Sequence, residues 1–109
     1  MTEYCVVYLT VASEAEAETL ANALVDEQLA ACVNRVGPVQ STYRWQGQRC
    51  HDQEYLLIVK TRQSRLPELT QRVQALHSYD LPEVIALPIL GGLAPYLTWI
   101  HDQTPDPNS

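Results

Sequence analysis

The segment ACVNRVGPVQSTYRWQG, from Ala31 to Gly47, most limits what this chain can fold into. It has the β-branched and aromatic content of a strand, yet it is two to three times the ~5–6 residues typical of one. Gly37-Pro38 falls in its middle. Proline cannot donate a ladder hydrogen bond, so the segment belongs at the edge of a sheet. Beyond Gly37 it alternates, with Val39, Tyr43 and Trp45 on one face and Gln40, Thr42 and Arg44 on the other. So long an edge leaves backbone groups unpaired and tends to recruit another chain. A bend or bulge at Gly37-Pro38 would swing the outer half away from its own sheet. The expected partner is a second copy of the chain. The alternative, a two-stranded arm in solvent, is marginal by itself.

The rest of the chain supplies the sheet. Tyr4 to Val11 is apolar without alternation, which reads as a strand covered on both faces. Ser13-x-x-Glu16 forms a capping box, and Leu20, Ala21, Leu24, Val25 and Leu29 then line one face of a helix ending near Leu29. A hairpin tip at Gln46–Arg49 leads into a strand from about Cys50 to Thr61. Ser64 is placed to cap a second helix with the stripe Leu66, Leu69, Val73 and Leu76. A fourth strand, Glu83 to Leu90, stops at Gly91-Gly92, and a short helix from Leu93 to Asp102 turns Leu93, Leu97 and Ile100 inward. The order β-α-β-β-α-β plus a helix is α+β and predicts a ferredoxin-like sandwich with an antiparallel sheet ordered 4-1-3-2. Pro38 and Pro88 then fall on the two edge strands, where proline is tolerated.

At 109 residues the chain is one domain, 1–109, with Gln103–Ser109 read as a polar tail, frayed or lying on a neighbour. Thirteen acids against seven bases give a net charge of −6, which repels nucleic acid and anionic membranes. Met1-Thr2-Glu3 lacks a basic leader region, and the apolar run Tyr55–Val59 is too short to span a bilayer. Cys5, Cys32 and Cys50 have no C-x-x-C spacing and read as reduced thiols of a cytoplasmic protein. There is no M-x-C-x-x-C metallochaperone loop, and the chain contains no Phe, which argues against an RNA-recognition sheet.

Several stretches resemble one family. They are Ala31-Cys32-Val33-Asn34, Ser41-x-Tyr43-x-Trp45-x-Gly47, Glu54, Lys60-Thr61, His77-x-Tyr79-x-x-Pro82-Glu83 and Tyr96-Leu97-x-Trp99-Ile100. In this order, over residues 4 to 101, they resemble the CutA divalent-cation tolerance proteins. The resemblance implies a ferredoxin-like fold in a homotrimer built like the PII signalling proteins, with copper or another divalent cation as ligand. Two positions depart from that pattern. His77-Ser78-Tyr79 stands where the family usually has His-Pro-Tyr, and Leu9 where some members have cysteine.

A tip at 46–49 sets Cys32 and Asn34 opposite roughly Arg62 and Lys60–Thr61. Asn34, Lys60 and Arg62 beside the start of helix 2 form either an anion pocket or a solvated strand end. Cys50, His51, Asp52, Glu54, His77, Tyr79 and Glu83 gather at the opposite end, a donor set suited to Cu or Zn. However, Cys50 and His51 are adjacent on a strand and point to opposite faces. Cys32 is a candidate soft-metal thiol or a small buried hydrophobe. In a trimer one subunit's hairpin reaches the next subunit's His77–Glu83 loop, which makes an intersubunit cleft including Trp45, Glu54 and Tyr79 the preferred ligand site. Tyr43, Trp45 and Trp99 are expected at the trimer interface. Two functions follow: a non-enzymatic trimer binding a divalent cation, or a PII-like sensor of a small anionic metabolite or nucleotide. A Cys32 nucleophile would need a histidine base, and none of His51, His77 and His101 is placed beside it.

Overall fold

A computed structural model describes residues 3–107 of the chain. The end of the polar tail, residues 108–109, lies outside the described residues. Strand β1 (Tyr4–Val11) is followed by α1 (Glu14–Asp26), β2 (Cys32–Trp45), β3 (Gln48–Arg62), α2 (Leu66–Leu76), β4 (Ile85–Pro88) and α3 (Ala94–Gln103). The sheet runs β2-β3-β1-β4. All three strand pairs are antiparallel, and the two prolines stand on the edge strands.

Ser13 begins α1 by accepting the Glu16 N–H at 3.1 Å, which satisfies one of the free donors of the first turn. The helix stops at Asp26, short of Leu29. Gln28 has φ 59, and the Leu29 and Ala30 N–H groups both return to the Leu24 carbonyl. Leu20, Ala21 and Leu24 are buried as expected, but Val25 is exposed. Ser64 does not cap α2. It lies in a 3₁₀ turn, Gln63–Arg65, and its hydroxyl donates to Asp106. Pro67 instead stands in the first turn of α2, where its missing N–H costs nothing.

The hairpin is tighter than expected. Gln46 (φ 51) and Gly47 (φ 78) form a two-residue turn, in which both positions need the left-handed region. Trp45 therefore pairs with Gln48, Tyr43 with Cys50 and Val39 with Glu54, before the register slips between Val36 and Val39. Beyond that bulge Asn34 pairs with Ile58 and Cys32 with Lys60, not Arg62. Gly37 is required there, because a Cβ would sit 2.5 Å from the Tyr55 ring. Strand β4 is only four residues long. Leu93 is exposed, leaving Ile100 as the buried anchor of α3.

Helices α1 and α2 cover one face of the sheet, over Cys5, Val7, Leu9, Val11, Leu57 and Val59. The other face differs from expectation, since β1 is covered on one side only. Tyr8 pairs with both Ile58 and Ile85, and Val6 with Leu87, so these side chains share the face turned away from the helices. Tyr8, Val36, Ile85 and Leu87 are all exposed. The chain's longest dimension is 44 Å. Its accessible surface, 6830 Å², exceeds the about 6,100 Å² of a compact monomer of 12.3 kDa. A sheet with one apolar face open is an unfinished core.

The start of the polar tail is held rather than frayed. Thr104 is fully buried. Its carbonyl accepts Arg62 Nε at 3.1 Å, and Arg62 Nη2 lies 3.4 Å from Asp106.

Candidate functional site

Where the outer hairpin, the end of β1 and the loop from α2 to β4 meet, they enclose a cleft of roughly 650 Å³. The hairpin contributes Ser41, Tyr43, Trp45, Asp52 and Glu54, and the loop contributes Tyr79, Asp80, Leu81 and Glu83. Alternation along β3 puts Asp52 and Glu54 on the same face as Leu56 and Ile58. The cleft therefore continues the open apolar face. Four carboxylates line it and neither lysine nor arginine does, so its field favours cations.

Two phenol–carboxylate pairs stand in the cleft. Tyr43 O–H donates to Asp52, which holds the proton on the phenol and pushes the Tyr43 pKa up to about 12. Tyr79 O–H donates to Glu54 at 3.0 Å. Burial first, then that bond, raises the Tyr79 pKa. Glu54 is buried. Glu83 is raised above the ordinary carboxyl range, first by desolvation and then by the charge of Glu54.

That shift has a stability consequence. A carboxyl raised in the folded state stabilises the fold below its unfolded value near 4.5, and the contribution is lost as pH climbs through the folded value. Glu83→Gln is therefore expected to raise the thermal midpoint at pH 7 and leave it unchanged near pH 4. Differential scanning fluorimetry at the two pH values checks this.

The expected site residues separate. Trp45, Glu54, Tyr79 and Glu83 do come together. Cys50 lies opposite Tyr43 near the hairpin tip, and His51 Nδ1 is engaged by the Thr42 hydroxyl. The His77 side chain is buried and both its nitrogens are occupied: Nδ1 accepts the Tyr79 N–H at 3.0 Å, which leaves Nε2–H to donate to the Thr10 carbonyl at 2.8 Å. Cys32 is half-buried beside Lys60, away from the cleft. Among the described residues no three His, Cys, Asp or Glu side chains form a group able to hold a metal ion. The Asn34, Lys60 and Arg62 grouping is also occupied, since Lys60 donates to Asn34. Arg62 is buried against Thr104, with Glu3 and Asp106 as counter-charges. Tyr43 and Trp45 are exposed on the outer hairpin. Trp99 is also exposed and packs on Tyr96 at a ring separation of 5.4 Å. The sequence reading missed Asp80 and Leu81. The signal that could have found them is the pair of acids, Asp80 and Glu83, flanking Pro82 in an aperiodic loop.

Residues 5–103 match the family described as CutA1 divalent ion tolerance protein. The "Divalent-cation tolerance protein CutA" of Thermus thermophilus is 54% identical over 99 residues, covering 91% of this chain and 96% of that protein. "Protein CutA, chloroplastic" of Arabidopsis thaliana is also 54% identical over 99 residues, but the match covers only 54% of its length, against 91% of this chain. A solved divalent cation tolerance protein from Thermus thermophilus superposes with a TM-score of 0.92 at 52% identity, covering 94% of this chain and 99% of that one. The cytoplasmic placement inferred from the thiols does not stand. Besides the chloroplastic relative, a solved CutA from Archaeoglobus fulgidus is described as periplasmic (38% identity, TM-score 0.91, covering 94% and 99%). Unpaired thiols do not report compartment here: Cys5 is a buried core residue whose pKa burial raises.

Proposed function

Since this chain belongs to the CutA1 divalent ion tolerance protein family, we propose that it is a non-enzymatic homotrimer that binds a divalent cation, copper or another, in the acidic cleft. The observation carrying this reading is the cleft lining, with Asp52, Glu54, Asp80 and Glu83 present and lysine and arginine absent. Carboxylate and phenol oxygens suit divalent cations, and copper(II) heads the affinity order at most such sites. One subunit lacks a three-ligand group among the described residues. In this reading an ion therefore draws its remaining ligands from a neighbouring copy.

The open sheet face and the exposed Tyr43, Trp45 and Trp99 supply the surfaces on which copies would meet. The competing reading, a PII-like sensor of an anionic metabolite or nucleotide, loses its main support. Lys60 and Arg62 are already hydrogen-bonded and lie outside the cleft. No sulfur or imidazole among the described residues lining the cleft offers a nucleophile or base.

Isothermal calorimetry with Cu²⁺, Mn²⁺ and ATP tests this. Wild type is expected to bind at least one metal and not ATP. Combined Asp52→Asn and Glu54→Gln should weaken metal binding by at least about tenfold, or about 1.4 kcal/mol. Wild-type protein giving no heat with either metal would remove the cation reading, and heat with ATP alone would restore the anion reading.

A further inference from the structure

We propose that Glu16 is a positioning residue for the cleft, acting from α1 through Ser78 and His77 on Tyr79. This rests on the cation reading of the cleft and names what holds one of its walls in place. Glu16 stands in the first turn of α1, and its side chain is only 15% exposed. A carboxylate there would ordinarily serve its own helix end. Here Oε1 keeps only a long bond from the Ala12 N–H, at 3.4 Å, and the shorter bonds go to the loop: Oε2 accepts the Ser78 N–H at 2.8 Å and Oε1 accepts the Ser78 hydroxyl at 3.0 Å. The next link is the Ser78 backbone itself, since the Tyr79 N–H that follows it donates to His77 Nδ1 at 3.0 Å and so fixes Tyr79 against the buried ring. The His77 and Tyr79 rings lie 4.7 Å apart. Tyr79 then reaches Glu54 through its hydroxyl. Contacts therefore run without a gap from α1 to the buried carboxylate of the cleft.

The loop needs such a hold. Residues 77–84 have no helix or strand of their own, yet Tyr79, Asp80, Leu81 and Glu83 form one side of the cleft. Ser78 makes the anchoring possible because it offers both an N–H and a hydroxyl to one carboxylate. Releasing it frees the loop to move with Tyr79 and uncovers Glu54.

The test compares Glu16→Ala, Glu16→Gln and Ser78→Ala with wild type by two measurements. The first is amide hydrogen exchange of residues 77–84, followed by mass spectrometry. In Glu16→Ala it should quicken by about tenfold or more while the helices exchange as in wild type, as expected of a loop that opens locally. In Ser78→Ala, which lies outside the helices and keeps the backbone bond, it should move the same way but less. Glu16→Gln should behave like wild type, because the amide oxygen still accepts the Ser78 N–H and the amide nitrogen can donate to the Ser78 hydroxyl. The second measurement is Cu²⁺ affinity. It should drop about tenfold in Glu16→Ala, as when an outer-shell partner is lost at a metal site, and recover in Glu16→Gln. Exchange of this loop unmoved in both alanine variants overturns the proposal, whatever the metal does. Glu16→Gln behaving like Glu16→Ala also overturns it, since charge rather than the bond pattern would then be acting. If wild type binds no Cu²⁺ while the loop exchange responds as expected, the cation reading fails and the positioning role stands.

Discussion

Ile58→Asp is expected to turn the proposed trimer into folded monomers. Ile58 sits mid-sheet, paired with Tyr8 on one side and Asn34 on the other. Its neighbours along β3, Leu57 and Val59, are fully buried toward the helices, so its own side chain points to the open face. Covering an isoleucine contributes about 1.5–3 kcal/mol, and that is lost in each copy. An unpaired aspartate buried in its place costs several kcal/mol more. Within the single chain the change touches neither α1 nor α2. The far-ultraviolet circular dichroism should therefore stay native while the mass from light scattering falls to that of one chain. An unchanged mass would mean that copies do not meet on this face.

Leu57→Ala should have the opposite signature, with lost stability and intact assembly geometry. Leu57 is fully buried in the cluster joining Leu9, Leu20 and Leu69, at a position paired with Leu9 on β1. Truncating it removes transfer energy and leaves a cavity, a combination that costs about 2–5 kcal/mol. That is a large part of the about 5–15 kcal/mol that separates folded from unfolded small domains. Urea unfolding should show a lower midpoint at unchanged slope. A midpoint within error of wild type would mean that the sheet–helix layer is not the main core.

The contrast between the two neighbours also shows what could be read before the structure. Element order and sheet topology follow from periodicity, capping residues and the placement of Pro38 and Pro88 on edge strands. The hairpin register did not follow, because Gln46 in the left-handed region cannot be recognised from its residue type, and a turn two residues shorter moves every partner. Continuous apolar residues in β1 do report two faces that need cover, but not whether the cover comes from the same chain. At the site, Glu54, Tyr79 and Glu83 were legible as chemistry on converging elements. Arg62 was not, since it looks like a free cation until the carbonyl 42 residues away is seen to hold it. Glu16 was legible only as half of a capping box. Its second role depends on Ser78, 62 residues further along the chain.

Assembly is the claim on which the interface, the shared ligand shell and the cleft chemistry converge. Sedimentation equilibrium at micromolar protein measures it most directly, with Trp45 fluorescence recorded on the same sample in a Trp99→Phe background. A homotrimer gives a single species at three times the 12.3 kDa chain mass, with Trp45 emission shifted to the blue of free indole. A well-folded species at the mass of one chain, with Trp45 emitting as in water, would contradict it.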